Sequence, residues 1–195
     1  MKSLERSIRT MIEAGPEELE GLLRHCHRKS FSKNSMLLNS WELCNEVYFV
    51  ESGLVRAIIT DLEGVEHSVH FAFENQYITD YTAFLLKSQS VHSLQALEDT
   101  ETIVLSREAV NWGYENMREG NKLGRLIAEG YFIYFDTRIR NMYAHSPIER
   151  YEMLNSIFPG LQNRVPQHMI ASYLGITPVH LSRLKKSRIV GEKKA

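Results

Sequence analysis

The sequence predicts an α+β chain: an N-terminal β-rich domain, one long helix and a C-terminal helix-turn-helix. Three observations carry that prediction. Short runs of β-branched and aromatic residues, separated by turn residues, fill the middle of the first half. An unbroken helical apolar pattern runs from about Arg118 to Tyr143. Two short helical periods then meet at Gly175, and the second ends in bases.

Taken in order, the residues up to about Arg28 read as short amphipathic helices, with Ile8, Met11 and Ile12 and then Leu19, Leu22 and Leu23 as their apolar faces. Residues 47–60 are strand-like and broken by Gly53. Asp61-Leu-Glu-Gly64 is a turn signal, and Val65, His67, Val69, Phe71 and Phe73 then alternate, which places them on one face of a hairpin strand. Further strands are expected around 91–97 and 102–105. Short strands at this spacing suggest a sandwich or barrel. Ser106 is placed to cap a helix beginning at Arg107.

The long helix carries Leu123, Leu126, Ile127, Tyr131, Phe132, Phe135, Ile139 and Met142, with no proline inside. One small β-domain cannot cover so wide an apolar surface. The helix is therefore expected to pack on its own domain with one side and on a second copy with the other. Leu123, Ile127, Phe132, Phe135, Ile139 and Met142 are the predicted dimerisation residues. Ser146-Pro-Ile-Glu149 is a capping box that opens the next helix and sets a boundary near Ala144. Three parts follow: residues 1–117, 118–143 and 144–195.

Near the C-terminus, Pro166 suits a first helical position, and Ile170, Ala171 and Leu174 form a small apolar face. Gly175 tolerates the positive φ of a sharp turn. Thr177 can cap the second helix ahead of Pro178, and Leu181 and Leu184 face inward. Thr177, Val179, His180, Ser182, Arg183, Lys185, Lys186 and Arg188 are then the candidate DNA-contacting residues, because a second helix of this kind enters the major groove. Arg183 fits a bidentate guanine contact, and Lys185, Lys186 and Arg188 fit phosphates. Charge agrees. From Arg164 onward the bases are Arg164, Arg183, Lys185, Lys186, Arg188, Lys193 and Lys194 against one acid, Glu192. The chain is net −1, so the preceding part carries about −7.

Composition excludes several classes. With 43% hydrophobic and 24% charged residues over 195, the chain can build a core. No apolar run approaches the ~20 residues of a membrane span, and the N-terminus carries acids and lacks a signal-peptide core, so a cytoplasmic protein is expected. Cys26 and Cys44 are too few for a disulfide framework or an iron–sulfur cluster. His25-Cys-His27 lacks a second ligand cluster, and no metal site is assigned. No phosphate loop, nucleophile elbow or zinc-protease motif occurs, so no enzymatic activity is expected.

The order of parts resembles the Crp/Fnr family of transcription regulators, which have a cyclic-nucleotide-binding-like sensor domain. The resemblance rests on Tyr48-Phe-Val-Glu-Ser-Gly-Leu-Val-Arg56 with Gly64, on Ala96-Leu-Glu-Asp-Thr100, on Ser146-Pro-Ile-Glu-Arg-Tyr151 and on Arg164 to Lys186. It implies a β-roll, or double-stranded β-helix, a homodimer on a two-fold symmetric double-stranded operator, and RNA polymerase as a contact of the bound protein. It also implies an effector pocket between the β-roll and the long helix, placing Asp80, Tyr81, Thr82, Ser90, Val91, Tyr131 and Tyr134 as candidates for an unknown effector.

Two departures shape the expectation. The phosphate-binding arginine of the cyclic-nucleotide cassette falls near Ser90, followed by Val91, so a cyclic nucleotide is not expected. The recognition helix is followed only by Ile189-Val-Gly-Glu-Lys-Lys-Ala195, too short for a full hairpin wing. The reading is a homodimeric DNA-binding regulator. The alternative is a ligand-binding module that acts through protein contacts without sequence-specific DNA binding.

Overall fold

The computed structural model describes residues 1–192, with side chains through Lys186. Helices α1 (Lys2–Met11) and α2 (Pro16–Leu23) come first. Glu18 accepts the Gly15 N–H at 2.7 Å and Pro16 starts α2, so the helix entry is closed by local residues. The strands are β1 (Cys26–Phe31), β2 (Met36–Leu38), β3 (Glu46–Ser52), β4 (Val55–Thr60), β5 (Glu66–Ala72), β6 (Tyr77–Ile78), β7 (Ser93–Ala96) and β8 (Thr100–Ser106). A short helix, α3 (Tyr81–Leu86), lies between β6 and β7.

Two antiparallel sheets face each other, in the orders β1-β8-β3-β6 and β2-β7-β4-β5. Alternation sorts their side chains. In β3, Tyr48 and Val50 enter the core between the sheets, while Phe49 joins an outer core with α1 and α2. In β8, Val104 points inward and Ile103 and Leu105 outward. Gly53 links β3 to β4 at φ +97, and a Cβ there would sit 2.8 Å from the Asp99 carbonyl oxygen. Only glycine fits that crossing.

Two sequence expectations fail here for local reasons. A bulge between Ala57 and Ile58 pairs Ala57 with His70 and Ile58 with Ser68, leaving Val69 as the extra residue of β5. The five alternating residues therefore do not share a face: Val69 packs against the inter-sheet core, Phe71 and Phe73 against the C-terminal helices, and His67 faces solvent beside Asp61. His25-Cys-His27 does not lie on a helix either. α2 ends at Leu23, Cys26 opens β1, and His25 rests on the Trp112 ring with centroids 5.5 Å apart.

The second half is helical. α4 (Arg107–Asn116) is capped by Ser106, which accepts the Ala109 N–H at 3.1 Å. α5 (Gly120–Ala144) is the long helix, and α6 (Pro147–Ile157) begins at the Ser146–Glu149 box. α7 (Leu161–Arg164), α8 (Gln167–Tyr173) and α9 (Pro178–Glu192) follow. Pro166 is the residue before α8 rather than its first. α9 continues through Glu192, so most of the expected tail is helix, and no hairpin wing appears among the described residues. Lys193 and Lys194 lie outside the described residues.

These helices dock on the β-domain through a shared core. Leu54, Phe71 and Leu97 pack with Leu154, Phe158, Leu161, Ile170 and Tyr173. Fully burying a side chain of this size contributes about 1.5–3 kcal/mol. Polar contacts frame the seam. Ser172 Oγ accepts the Ser68 N–H at 2.9 Å, and Arg164 bonds both Glu74 and Glu98 at 2.7–3.0 Å.

Candidate DNA interface and sensor cavity

The turn between α8 and α9 is closed by its own backbone. Gly175 takes φ +67, its N–H reaches the Ser172 carbonyl at 3.1 Å, and the Ile176 N–H reaches Ala171 at 3.0 Å. That pair is a Schellman closure, which needs a left-handed residue at Gly175. Thr177 Oγ1 accepts the His180 N–H at 3.2 Å and so caps α9. Leu181 is buried in the seam core. Val179, 61% exposed, and His180, Ser182, Arg183 and Lys186 face solvent along the first turns of α9.

Two bases behave differently from the sequence expectation. Lys185 turns back, donating to Gln167 Oε1 at 2.7 Å with its ammonium 6.0 Å from the Tyr151 ring centre. Arg164, counted among the bases of the C-terminal end, is spent on Glu74 and Glu98. The side chain of Arg188 lies outside the described residues.

α5 divides its apolar residues between two sides. Leu123 packs with Leu126 against the outer core of the β-domain, and Ile127 lines cavities against its own chain. Phe132 and Ile139, 71% and 58% exposed, share the opposite side with Tyr143. Phe135 lies between the two sides, its ring near those of His70 and Tyr134, and Met142 reaches toward Gly175. The exposed stripe is thus narrower than the six residues expected, because Leu123 and Ile127 are taken up within the chain.

The segment matching the phosphate cassette is closed on itself. Asp80 caps α3 by accepting the Ala83 N–H at 3.1 Å. Its other carboxylate oxygen accepts from Ser90 Oγ at 2.9 Å and from the Val91 N–H at 3.1 Å, and lies 2.9 Å from His92 Nδ1. Asp80 is buried and Ser90 fully so. Burial alone would raise the Asp80 pKa, but His92 and the donors from Ala83 and Ser90 outweigh it and hold the carboxyl well below its usual range. The Asp80 carboxylate thus takes up the donors of Ala83, Ser90 and Val91 within the chain.

The seven candidate effector residues separate into two places. Asp80 and Ser90 form this closed cluster, Thr82 and Val91 face solvent, and Tyr81 stacks on Tyr131 with centroids 5.2 Å apart. Tyr131 and Tyr134 instead border a cavity of about 410 Å³ between α1, the β5–β6 turn, α5 and the end of α6. Tyr131 donates to the Tyr77 carbonyl at 3.0 Å, and the Tyr134 and Tyr173 hydroxyls meet at 3.2 Å. His70 lines this cavity, its Nδ1 buried without a protein hydrogen-bond partner, and burial pushes its pKa down to about 3.

Residues the sequence did not single out include His92, Glu74, Glu98 and Arg138. Arg138 lies over the Tyr173 ring at 4.2 Å and donates to the Tyr173 carbonyl at 3.0 Å. A base amid the apolar period of α5 is the one signal that could have marked it. Nothing local marks Glu74 or Glu98, since their partner is far along the chain. Among the described residues no cluster of three His, Cys, Asp or Glu side chains could hold a metal, and no helix is long and apolar enough to cross a membrane.

Residues 28–116 match the family model of the cyclic nucleotide-binding domain. No curated protein matches the chain. Among solved structures, the chain is similar to FixK2 from Bradyrhizobium japonicum, with a TM-score of 0.73 at 14% identity, covering 86% of each chain. It is also similar to the c-di-GMP-responsive global regulator CLP of Xanthomonas campestris, with a TM-score of 0.70 at 15% identity over 91% of this chain and 93% of that one. A transcriptional regulator of the Crp/Fnr family from Eubacterium rectale gives 0.71 at 15% identity over 91% and 84%. Residues 28–116 thus match the cyclic nucleotide-binding domain model, and the chain shares the fold of these solved regulators.

Proposed function

We propose that this chain is a homodimeric DNA-binding transcription regulator whose β-roll takes no cyclic-nucleotide phosphate. The observation that carries the reading is the capped, Schellman-closed turn that presents Val179, His180, Ser182 and Arg183 to solvent at the start of α9. Residues 1–117 act as the sensor part, 118–143 as the dimer helix and 144–195 as the DNA-binding part. Pairing of two chains along Phe132, Ile139 and Tyr143 would set two recognition helices on successive turns of a symmetric site. The internal ligation of Asp80 supports the absence of a cyclic nucleotide.

The test is operator selection followed by affinity measurement at two salt concentrations. Arg183→Ala is expected to lose discrimination at one base position by about 1–3 kcal/mol. Lys186→Ala is expected to weaken all sequences alike and lower the salt slope by about one. A wild-type chain that binds no DNA at low salt overturns the reading and leaves the protein-contact module in its place. Ile139→Glu is expected to give monomer in sedimentation, because a carboxylate would be buried without a partner in the interface.

A further inference from the structure

The cavity between α1, the β5–β6 turn, α5 and α6 has the size of a small-molecule site, a class that spans about 300–1,000 Å³. Its wall includes Met11, Tyr77, Tyr134 and Phe158, and it carries no Asp, Glu, Lys or Arg side chain. The His70 ring lies against Tyr134 at 4.5 Å and Phe158 at 5.9 Å, with Nδ1 buried and unpartnered. A buried polar atom left without a partner carries a desolvation cost, which a group that meets it relieves.

Gly130 supplies an independent sign. It sits inside α5, where glycine destabilises a helix relative to alanine. Packing does not require it, since a Cβ built there meets nothing within 4 Å. Gly130 borders the cavity, and a side chain at that position would extend into open space on the cavity wall. The missing side chain keeps the cavity open.

We infer that this cavity binds a neutral, two-ring aromatic molecule carrying one hydroxyl, which packs among the aromatic walls and pairs with His70. A hydroxyl both donates and accepts, so it serves either tautomer of a neutral imidazole. A carboxylate finds no cation in the lining and is disfavoured. The site draws Met11 from the N-terminal helix and Phe158 from beyond α6, so an occupant touches both halves of the chain. The site does not depend on the chain binding DNA.

The experiment is calorimetric titration of the full chain with 2-naphthol and with 2-naphthoate. One 2-naphthol per chain is expected, with 2-naphthoate about tenfold or more weaker. Gly130→Leu should abolish 2-naphthol binding while melting at or above the wild-type temperature, and Gly130→Ala should weaken it partway. His70→Leu should bind 2-naphthol about tenfold more weakly. No heat with the wild type, equal or tighter binding of 2-naphthoate, or unchanged 2-naphthol binding in a folded Gly130→Leu chain would each overturn the proposal.

Discussion

Asp80 and Arg164 are both charged residues that join distant stretches of chain, and they work under different conditions. Asp80 is buried in a loop of the β-domain, with its donors supplied by α3 and by the segment of Ser90 to His92. Arg164 lies on the seam between the β-domain and the C-terminal helices, with a side chain 27% exposed and partners Glu74 and Glu98 at 36% and 34%. The first is a closed anion site that is costly to vacate. The second is a solvent-screened clasp across a surface that the Leu54–Phe71–Phe158 core already joins. Burial, rather than the number of bonds, decides which charge matters for stability.

Three substitutions grade that difference. The largest effect is expected at the apolar core of the seam: Phe158→Ala should lower unfolding free energy by about 3–5 kcal/mol, because the ring packs against Phe71, Phe73 and Tyr173. Chemical denaturation reads this directly, and a loss under 1 kcal/mol would mean that the seam is held by its polar rim.

Asp80→Ala comes next, at about 3 kcal/mol, since it strands the Ala83 and Val91 N–H groups and leaves the Ser90 hydroxyl only the His92 carbonyl. Its pH dependence has a definite sign. The folded pKa of Asp80 is depressed, so its contribution is present above the unfolded carboxylate value of about 3.9 and is lost as pH falls through the lower folded value. The wild-type advantage over Asp80→Ala should therefore shrink between neutral and strongly acidic pH. A pH-independent difference would remove the carboxylate from the account.

Arg164→Ala is expected to cost least, about 1 kcal/mol, and the loss should largely vanish at about 1 M salt. The Arg164 bonds hold Glu74 below the usual carboxylate range, so this contribution also fades in acid. Comparing the two variants in high salt sharpens the contrast: the Asp80 deficit should persist where the Arg164 deficit does not.

Much of the architecture was legible because it depends on neighbours in sequence. The Ser106 cap, the Ser146–Glu149 box, the Gly175 closure and the Thr177 cap are each built within a few residues, and the structure reproduces all four. The apolar period of α5 announced a two-sided helix, although which residues lie on which side depended on what the β-domain covered. β5 misled because a bulge adds one residue without any change of composition, and that shift redirects the side chains beyond it.

The candidate site divides along the same line. By itself the sequence determined the element order and the turn that presents α9. Only the tertiary structure decided what became of the charges and the space. It turned Asp80 into the anion of its own loop and bound Arg164 to Glu74 and Glu98. It also gathered α1, β5, α5 and α6 around His70. Local hydrogen bonds need only adjacent residues, whereas ion pairs and cavities are set by which distant surfaces the cores bring together.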